Sequence, residues 1–185
     1  MRFVGKIALV TGASRGIGRS IATDLAAEGA AVVCTARTLE DSSGRGSLAE
    51  TVSAIRDLGG AGYSIQCDVT VPTEVESVVT WTEETLGGID FLVNNAGLNP
   101  RFRIIDMDPD DWDQCLNTNL TGPFLFSRYA LPGMMRRRTG KILNITSDLA
   151  LSYAPDVISY ATAQYSLNRF TVNLAEEVRD YDVAV

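Results

Sequence analysis

Short runs of β-branched and aliphatic residues alternate along the chain with longer stretches in which apolar side chains return every three or four positions. That alternation is the pattern of parallel strands joined by crossover helices. Strands are predicted at Lys6 to Thr11, Ala31 to Ala36, Tyr63 to Cys67, Ile89 to Val93 and Lys141 to Ile145, with Asp182 to Val185 as the opening of a sixth. Ile17, Ile21 and Leu25 trace one helix face closed by Gly29; Leu48, Val52 and Ile55 trace another, ending at Gly59 and Gly60. Pro72 stands where a helix first turn tolerates it, ahead of Val75, Val78, Val79 and Leu86. Leu167, Phe170, Leu174 and Val178 line a further helix. The segment from Pro109 to Met135 is apolar on one side through Trp112, Leu116, Leu120 and Phe124 and is predicted to be a single helix bent at Gly122 and Pro123. Arg37 to Gly46 reads as a polar loop. With no internal repeat, residues 1–185 form one domain of the α/β class, a doubly wound parallel sheet with helices on both faces. Ligands in such sheets bind beyond the carboxyl ends of the strands, which directs attention to the residues just after Thr11, Ala36, Cys67, Val93 and Ile145.

Composition removes several kinds of chemistry. The 185 residues are 45% apolar, enough for one globular core, and 16 basic against 23 acidic side chains give a net charge of −7, which disfavours nucleic acid as a partner. There is no histidine, so serine–histidine hydrolysis and histidine-ligated metal are excluded, and no metal site is expected. Cys34, Cys67 and Cys115 are odd in number and widely spaced, fitting free thiols in a reducing cytoplasm rather than a disulfide framework. No run has the length of a signal peptide or a membrane span, so no membrane partner is expected.

The chemistry begins after the first strand. Thr11-Gly12-Ala13-Ser14-Arg15-Gly16-Ile17-Gly18 places three glycines in a turn that opens a helix, where free amides and the helix dipole make an anion site. A diphosphate fits such a turn, and a plain tight strand–helix turn would also use these glycines. Taken singly, Asp68 reads as a helix cap and Asn94 as a turn former. Together, the glycine spacing, Asn94-Asn95-Ala96-Gly97 after the fourth strand, Asp68 after the third, Asn119 in the long helix, Ser147 after the fifth strand and Tyr160 thirteen residues beyond it resemble the short-chain dehydrogenase/reductase family along essentially the whole chain. The resemblance implies a dinucleotide on Gly12, Ser14, Arg15, Gly16, Ile17 and Gly18, with Asp68 and Val69 at the adenine and Asn95, Ala96 and Gly97 beside the ribose. It further implies hydride exchange with a small-molecule ketone or alcohol, Tyr160 moving the proton and also contacting the cofactor, Ser147 bonding the substrate oxygen and Asn119 holding a relay water.

Charge selects between the two dinucleotides. Where a carboxylate would favour NAD(H), the second strand ends in Ala36 followed by Arg37, and Arg15 offers a second guanidinium to a 2′-phosphate, so NADP(H) is expected in preference to NAD(H). The departure lies four residues after the tyrosine, where the family places a lysine and this chain has Gln164. Removing a positive charge about 5 Å from a phenol, at an effective dielectric near 20, forfeits roughly 3 kcal/mol. Cofactor binding with turnover cut on the order of a hundredfold or more is therefore expected, and a non-catalytic dinucleotide-binding protein is the alternative. The sequence also ends within the sixth strand, so the family's last strand and substrate-covering segment are expected to be missing. Loops at Leu98 to Ile105 and Leu149 to Ile158 supply mostly apolar substrate walls, with Arg101 and Arg103 as solvated loop residues. A homodimer through helix 109–135 and the helix bearing Tyr160 is the expected assembly.

Overall fold

The computed structural model describes residues 1–41, 44 and 46–185. Positions 42, 43 and 45 of the expected polar loop lie outside the described residues. Six strands, β1 (Ile7–Thr11), β2 (Ala31–Ala36), β3 (Ala61–Gln66), β4 (Phe91–Asn94), β5 (Gly140–Asn144) and β6 (Val183–Ala184), form one sheet in the order β3-β2-β1-β4-β5-β6. Every neighbouring pair is parallel, with Ala8 opposite Val32 on one side and Phe91 on the other. The order runs outward from β1 to β3 and then returns to β4 beside β1. This reversal opens a crevice beyond Thr11 and Asn94, which is why a ligand site belongs there.

Strand residues alternate between two apolar layers, as the period of a pleated strand requires. Leu9, Val33, Leu92 and Ile142 face α3 (Pro72–Leu86), α5 (Gly122–Arg137) and α6 (Ile158–Val178), where Val75, Val79, Phe126, Met134, Leu174 and Val178 complete one core. Ala8, Val10, Val32 and Cys34 face α1 (Gly16–Ala27) and α2 (Leu48–Asp57), where Ala22, Ala26, Val52 and Ile55 fill the other. The second layer covers β3, β2 and β1 but leaves Leu143 on β5 53% exposed. Burial pushes the Cys34 thiol up from 9.0 to about 12 and Cys67 to about 11. Both thiols stay neutral in the fold, so the stability tied to their neutrality is present below pH 9 and is lost as pH climbs toward those values.

Helix ends follow the sequence signals. Gly29 and Gly59 take the left-handed conformation just past α1 and α2, with φ of 96° and 79°, and Pro72 opens α3. β3 starts two residues earlier than its aliphatic pattern indicates, because Gly62 packs on Ile55, where a Cβ would approach Ile55 Cγ2 to 3.0 Å. The single bent helix expected over 109–135 is a continuous helical run to Arg137 interrupted by a π-turn. It divides into α4 (Pro109–Leu116), the π-turn Asn117–Thr121 and α5, with the Gly122 N–H donating to the Asn117 carbonyl. Pro123 has no N–H to return to the preceding turn, which accounts for the widened ladder there.

Candidate active site

The cleft begins at the glycine turn. Gly12 has φ of 65°, and a Cβ on it would come within 2.8 Å of Ala96 Cα, while a Cβ on Gly18 would collide with Asn95 Nδ2 and the Gly12 carbonyl. Glycine is thus required twice for close approach of the turn to the end of β4, and Gly16, at φ of 57°, for the turn itself. The turn is pinned from outside by Thr51, whose buried hydroxyl donates to the Ala13 carbonyl at 2.8 Å. Thr11 does the same from below, its Oγ1 accepting from the Asn95 and Ala96 N–H groups at 2.9 and 3.0 Å and donating to the Val93 carbonyl. Asn95 Nδ2 closes the circuit by donating to the Thr11 carbonyl at 3.0 Å. Arg15 precedes α1 without a side-chain cap, so the first-turn amides are free to meet an anion.

A cavity of about 290 Å³ lies over this turn, lined by Gly12, Ser14, Arg15, Ile17, Arg37, Asp68, Val69, Asn95, Ala96 and Gly97 among others. Arg15 and Arg37 are exposed and have no carboxylate partner among the described residues. Asp68 Oδ1 accepts from the Thr70 N–H at 2.9 Å and its hydroxyl at 2.8 Å, so it shapes the turn into α3 as well as facing the cavity. Gln66 Nε2 donates to the Arg37 carbonyl at 2.8 Å and holds the end of β2 in place.

A second cavity of about 220 Å³ shares Ile17, Asn95, Ala96 and Gly97 with the first and adds Asn94, Asn119, Ile145, Thr146, Tyr160 and Gln164. The two make one elongated cleft along the carboxyl edge of the sheet. Asn94 Nδ2 donates to Asn144 Oδ1, and Asn144 Nδ2 to Thr171 Oγ1, both at 2.8 Å, tying β4 and β5 to α6. Tyr160 and Gln164 stand one turn apart on that helix. Gln164 is only 4% exposed, and its Oε1 has no partner; Asn94 Oδ1 is likewise buried and unpaired.

Asn119 is 1% exposed at the π-turn, and its side chain is fully engaged. Its Nδ2 donates to the Leu98 carbonyl at 2.9 Å and the Cys115 carbonyl at 2.8 Å, and its Oδ1 accepts from the Leu98 N–H at 3.2 Å. The amide therefore clamps the loop after β4, with one acceptor position of Oδ1 unused by the bonds it makes. Burial pushes the adjacent Cys115 thiol up, with Ser159 and Asn119 pulling it the other way. Ser147 follows β5 but lines neither cavity: its hydroxyl donates to Asp148 Oδ1 at 3.1 Å and accepts from the Leu149 N–H at 3.2 Å. Gly16 and Gly18 shape the turn without lining the cavities. The sequence reading missed Thr11, Thr51, Gln66, Asn144 and Thr171, all of which hold the site from behind. The only signal for Thr11 and Asn144 was their place at strand ends.

The cleft fits a dinucleotide on its own terms. One end offers free amides and two unpaired guanidinium groups, the far end a tyrosine and a buried amide oxygen awaiting a donor. Comparisons with known proteins agree. The short chain dehydrogenase family model matches residues 6–185. The 3-oxoacyl-acyl-carrier-protein reductase FabG of Escherichia coli strain K12 is 39% identical over the whole chain, which spans 72% of that protein. A metagenomic short-chain oxidoreductase in complex with NADP superposes with a TM-score of 0.89 at 34% identity, covering 99% of this chain and 80% of the other. NAD+-bound xylitol dehydrogenase superposes with a TM-score of 0.93 at 31% identity, covering all of this chain and 69% of the other. Fold, glycine turn and tyrosine cleft together identify the chain as a member of the short-chain dehydrogenase family of oxidoreductases, which act on carbonyl and alcohol carbons.

Proposed function

We propose that the chain is an NADP(H)-dependent oxidoreductase that interconverts a small ketone and an alcohol, with turnover restrained by Gln164. The carrying observation is the pair of unpaired, exposed guanidinium groups of Arg15 and Arg37 on the same cavity as the glycine turn. Two arginines and no carboxylate at the end of β2 suit a 2′-phosphate and would leave the hydroxyls of NAD(H) unrewarded. Gly12, Ser14, Gly16, Ile17 and Gly18 form the diphosphate cradle, Asp68 and Val69 meet the adenine, and Asn95, Ala96 and Gly97 border the adjoining ribose. When bound, the nicotinamide supplies or accepts the hydride. Tyr160 gives or takes the proton at its phenol oxygen, and Ser147 turns its hydroxyl to the substrate oxygen. Asn119 holds the loop that walls the cleft and, beside it, the relay water. Gln164 contributes an amide to a ribose hydroxyl in place of a cation.

Titration with NADPH and, separately, NADH, followed by fluorescence and thermal unfolding, tests this reading, because a ligand that binds the fold raises its melting temperature with concentration. A larger shift with NADPH is the expected result; equal shifts would overturn the two-arginine argument, and no shift with either would overturn the cofactor. We also propose a homodimer through α4–α5 and α6, supported by the exposed Phe124, Tyr165 and Val172 on those helices. Sedimentation with Tyr165→Arg tests it. No helix among the described residues is long and apolar enough to cross a membrane. Three buried free thiols fit the cytoplasm expected from the sequence.

A further inference from the structure

Ser147 carries a neighbour whose consequence reaches the substrate. Ser147 and Asp148 sit at the start of a 3-10 turn over Asp148–Ala150, with the serine hydroxyl donating to the Asp148 carboxylate at 3.1 Å. That carboxylate is exposed and takes no other side-chain bond or ion pair among the described residues. An oxygen that accepts from Ser147 lies about 2.8 Å from it and so within about 6 Å of Asp148 Oδ1. We propose that Asp148 is a specificity-determining residue: it turns away substrates carrying a negative charge beside the reacting carbonyl and leaves neutral ketones and keto esters as the preferred class. The inference rests on the reading that Ser147 bonds the substrate oxygen. Like charges about 6 Å apart cost roughly threefold in affinity when screened as in bulk water and roughly a hundredfold at an effective dielectric near 20, so an exposed carboxylate just beyond the end of β5 gives about tenfold. The cations nearby in sequence do not cancel it by pairing. Arg103 faces Asp106 at 4.0 Å, which leaves Arg101 in the loop that Phe102 ties to the Asp156 carbonyl at 2.9 Å. An acid recognised by Arg101 would give the opposite preference, so the sign of the discrimination decides.

The experiment compares matched acid and ester pairs, acetoacetate with ethyl acetoacetate and pyruvate with ethyl pyruvate, using NADPH. Ratios between variant and wild type cancel the intrinsic reactivity of each substrate. Asp148→Asn is expected to narrow the ester-over-acid ratio in kcat/KM by about tenfold, mainly through a lower KM for the acids, while Asp148→Glu keeps the ratio. In the unmodified protein the ratio shrinks as KCl is added. Asp148→Ser stands in if the asparagine protein does not unfold cooperatively. A ratio within twofold of wild type in the neutral variants, or a wild-type preference for the acids that Arg101→Ala abolishes, would overturn the proposal while Tyr160→Phe still abolishes turnover. Failure of the underlying reading looks different: esters turned over equally well by Tyr160→Phe, or no turnover of any pair by the unmodified protein, overturns both.

Discussion

The two ends of the cleft are made by the same topology, yet they leave their polar groups unmet in opposite ways. At the glycine turn the unmet groups are charged and exposed: Arg15 and Arg37 face solvent with no carboxylate partner among the described residues. At the tyrosine the unmet groups are neutral and buried: Gln164 Oε1 and Asn94 Oδ1 have neither protein nor open solvent. A solvated guanidinium costs the fold almost nothing, whereas a buried acceptor without a donor costs about 1–3 kcal/mol. The nucleotide end can thus wait for its ligand at no expense. If Gln164 Oε1 stays unpaired in solution, the reaction end stores a penalty that a ligand donor removes, and this difference turns hydrogen bonds into measurable expectations.

The largest effect belongs to the tyrosine. Tyr160→Phe removes the phenol proposed to exchange the proton and should lower kcat by about 10²- to 10⁴-fold. NADPH affinity, measured by calorimetry, should stay within about threefold. Should affinity collapse alongside kcat, Tyr160 is holding the nucleotide and the two ends are not separable. Next comes Gln164→Lys. A cation about 5 Å from a developing phenolate, at an effective dielectric near 20, is worth roughly 3 kcal/mol, which is about a hundredfold in kcat. Single-turnover kinetics with saturating NADPH reads this directly. If lysine at 164 brings no gain, the amide is not what restrains turnover.

The nucleotide end is tested by charge removal. Arg15→Ala combined with Arg37→Ala should weaken NADPH about thirtyfold, since charge-assisted hydrogen bonds to a phosphate contribute about 1.5–3 kcal/mol each when formed and less where solvent reaches them. NADH should bind as before, and apo stability should move by less than about 0.5 kcal/mol because both side chains are exposed and neither forms an ion pair among the described residues. Losing NADH affinity as well would mean that the arginines act on the diphosphate, and the case for a 2′-phosphate would fall.

Much of this was legible in the sequence, and the rest was hidden for physical reasons. The parallel sheet and the glycine turn follow from periodicities and spacings that local backbone geometry enforces, whereas Asp68, Asn95, Asn119 and Tyr160 stand out only through the family resemblance; all of these residues are brought to one cleft. Gly29 and Pro72 behave as their local rules require, whereas Ile17 of the expected apolar face is 64% exposed, because α1 buries the small residues Gly18, Ala22 and Ala26 against the sheet and turns Ile17 toward the cleft. What periodicity could not reveal is long-range hydrogen bonding. Thr51 reaches across 38 residues to the glycine turn, Thr11 across 84 to Asn95, and Asn119 across 21 to Leu98. None of these pairings has a sequence spacing that repeats, because the distance along the chain depends on which strands happen to be neighbours. The π-turn was read as a bend at Gly122 and Pro123 because sequence shows the missing donor of Pro123 but not the extra residue that compensates for it. The Ser147 hydroxyl donates to Asp148 and must turn from that bond to face a substrate, a competition that spacing along the chain does not show.

The smallest effect bears most directly on the contrast between the two ends. Gln164→Met keeps the length and volume of the side chain and removes both the buried oxygen and its amide nitrogen. If the unpaired Oε1 is a cost to the empty protein, the methionine variant should be more stable than wild type by about 1 kcal/mol, the lower end of the penalty, since a flexible thioether packs less well than the estimate for a perfect fit assumes. The same variant cannot accept from a ribose hydroxyl, so its NADPH affinity should fall by roughly fivefold, and the melting temperatures of variant and wild type should cross as NADPH is added. The same substitution at Arg37 offers no such crossing, because an exposed group has no penalty to release. Urea unfolding at several NADPH concentrations reads both quantities in one series. A methionine variant that is less stable at every concentration would mean that Gln164 already satisfies its oxygen in solution, and the two ends of the cleft would then differ in charge but not in stored cost.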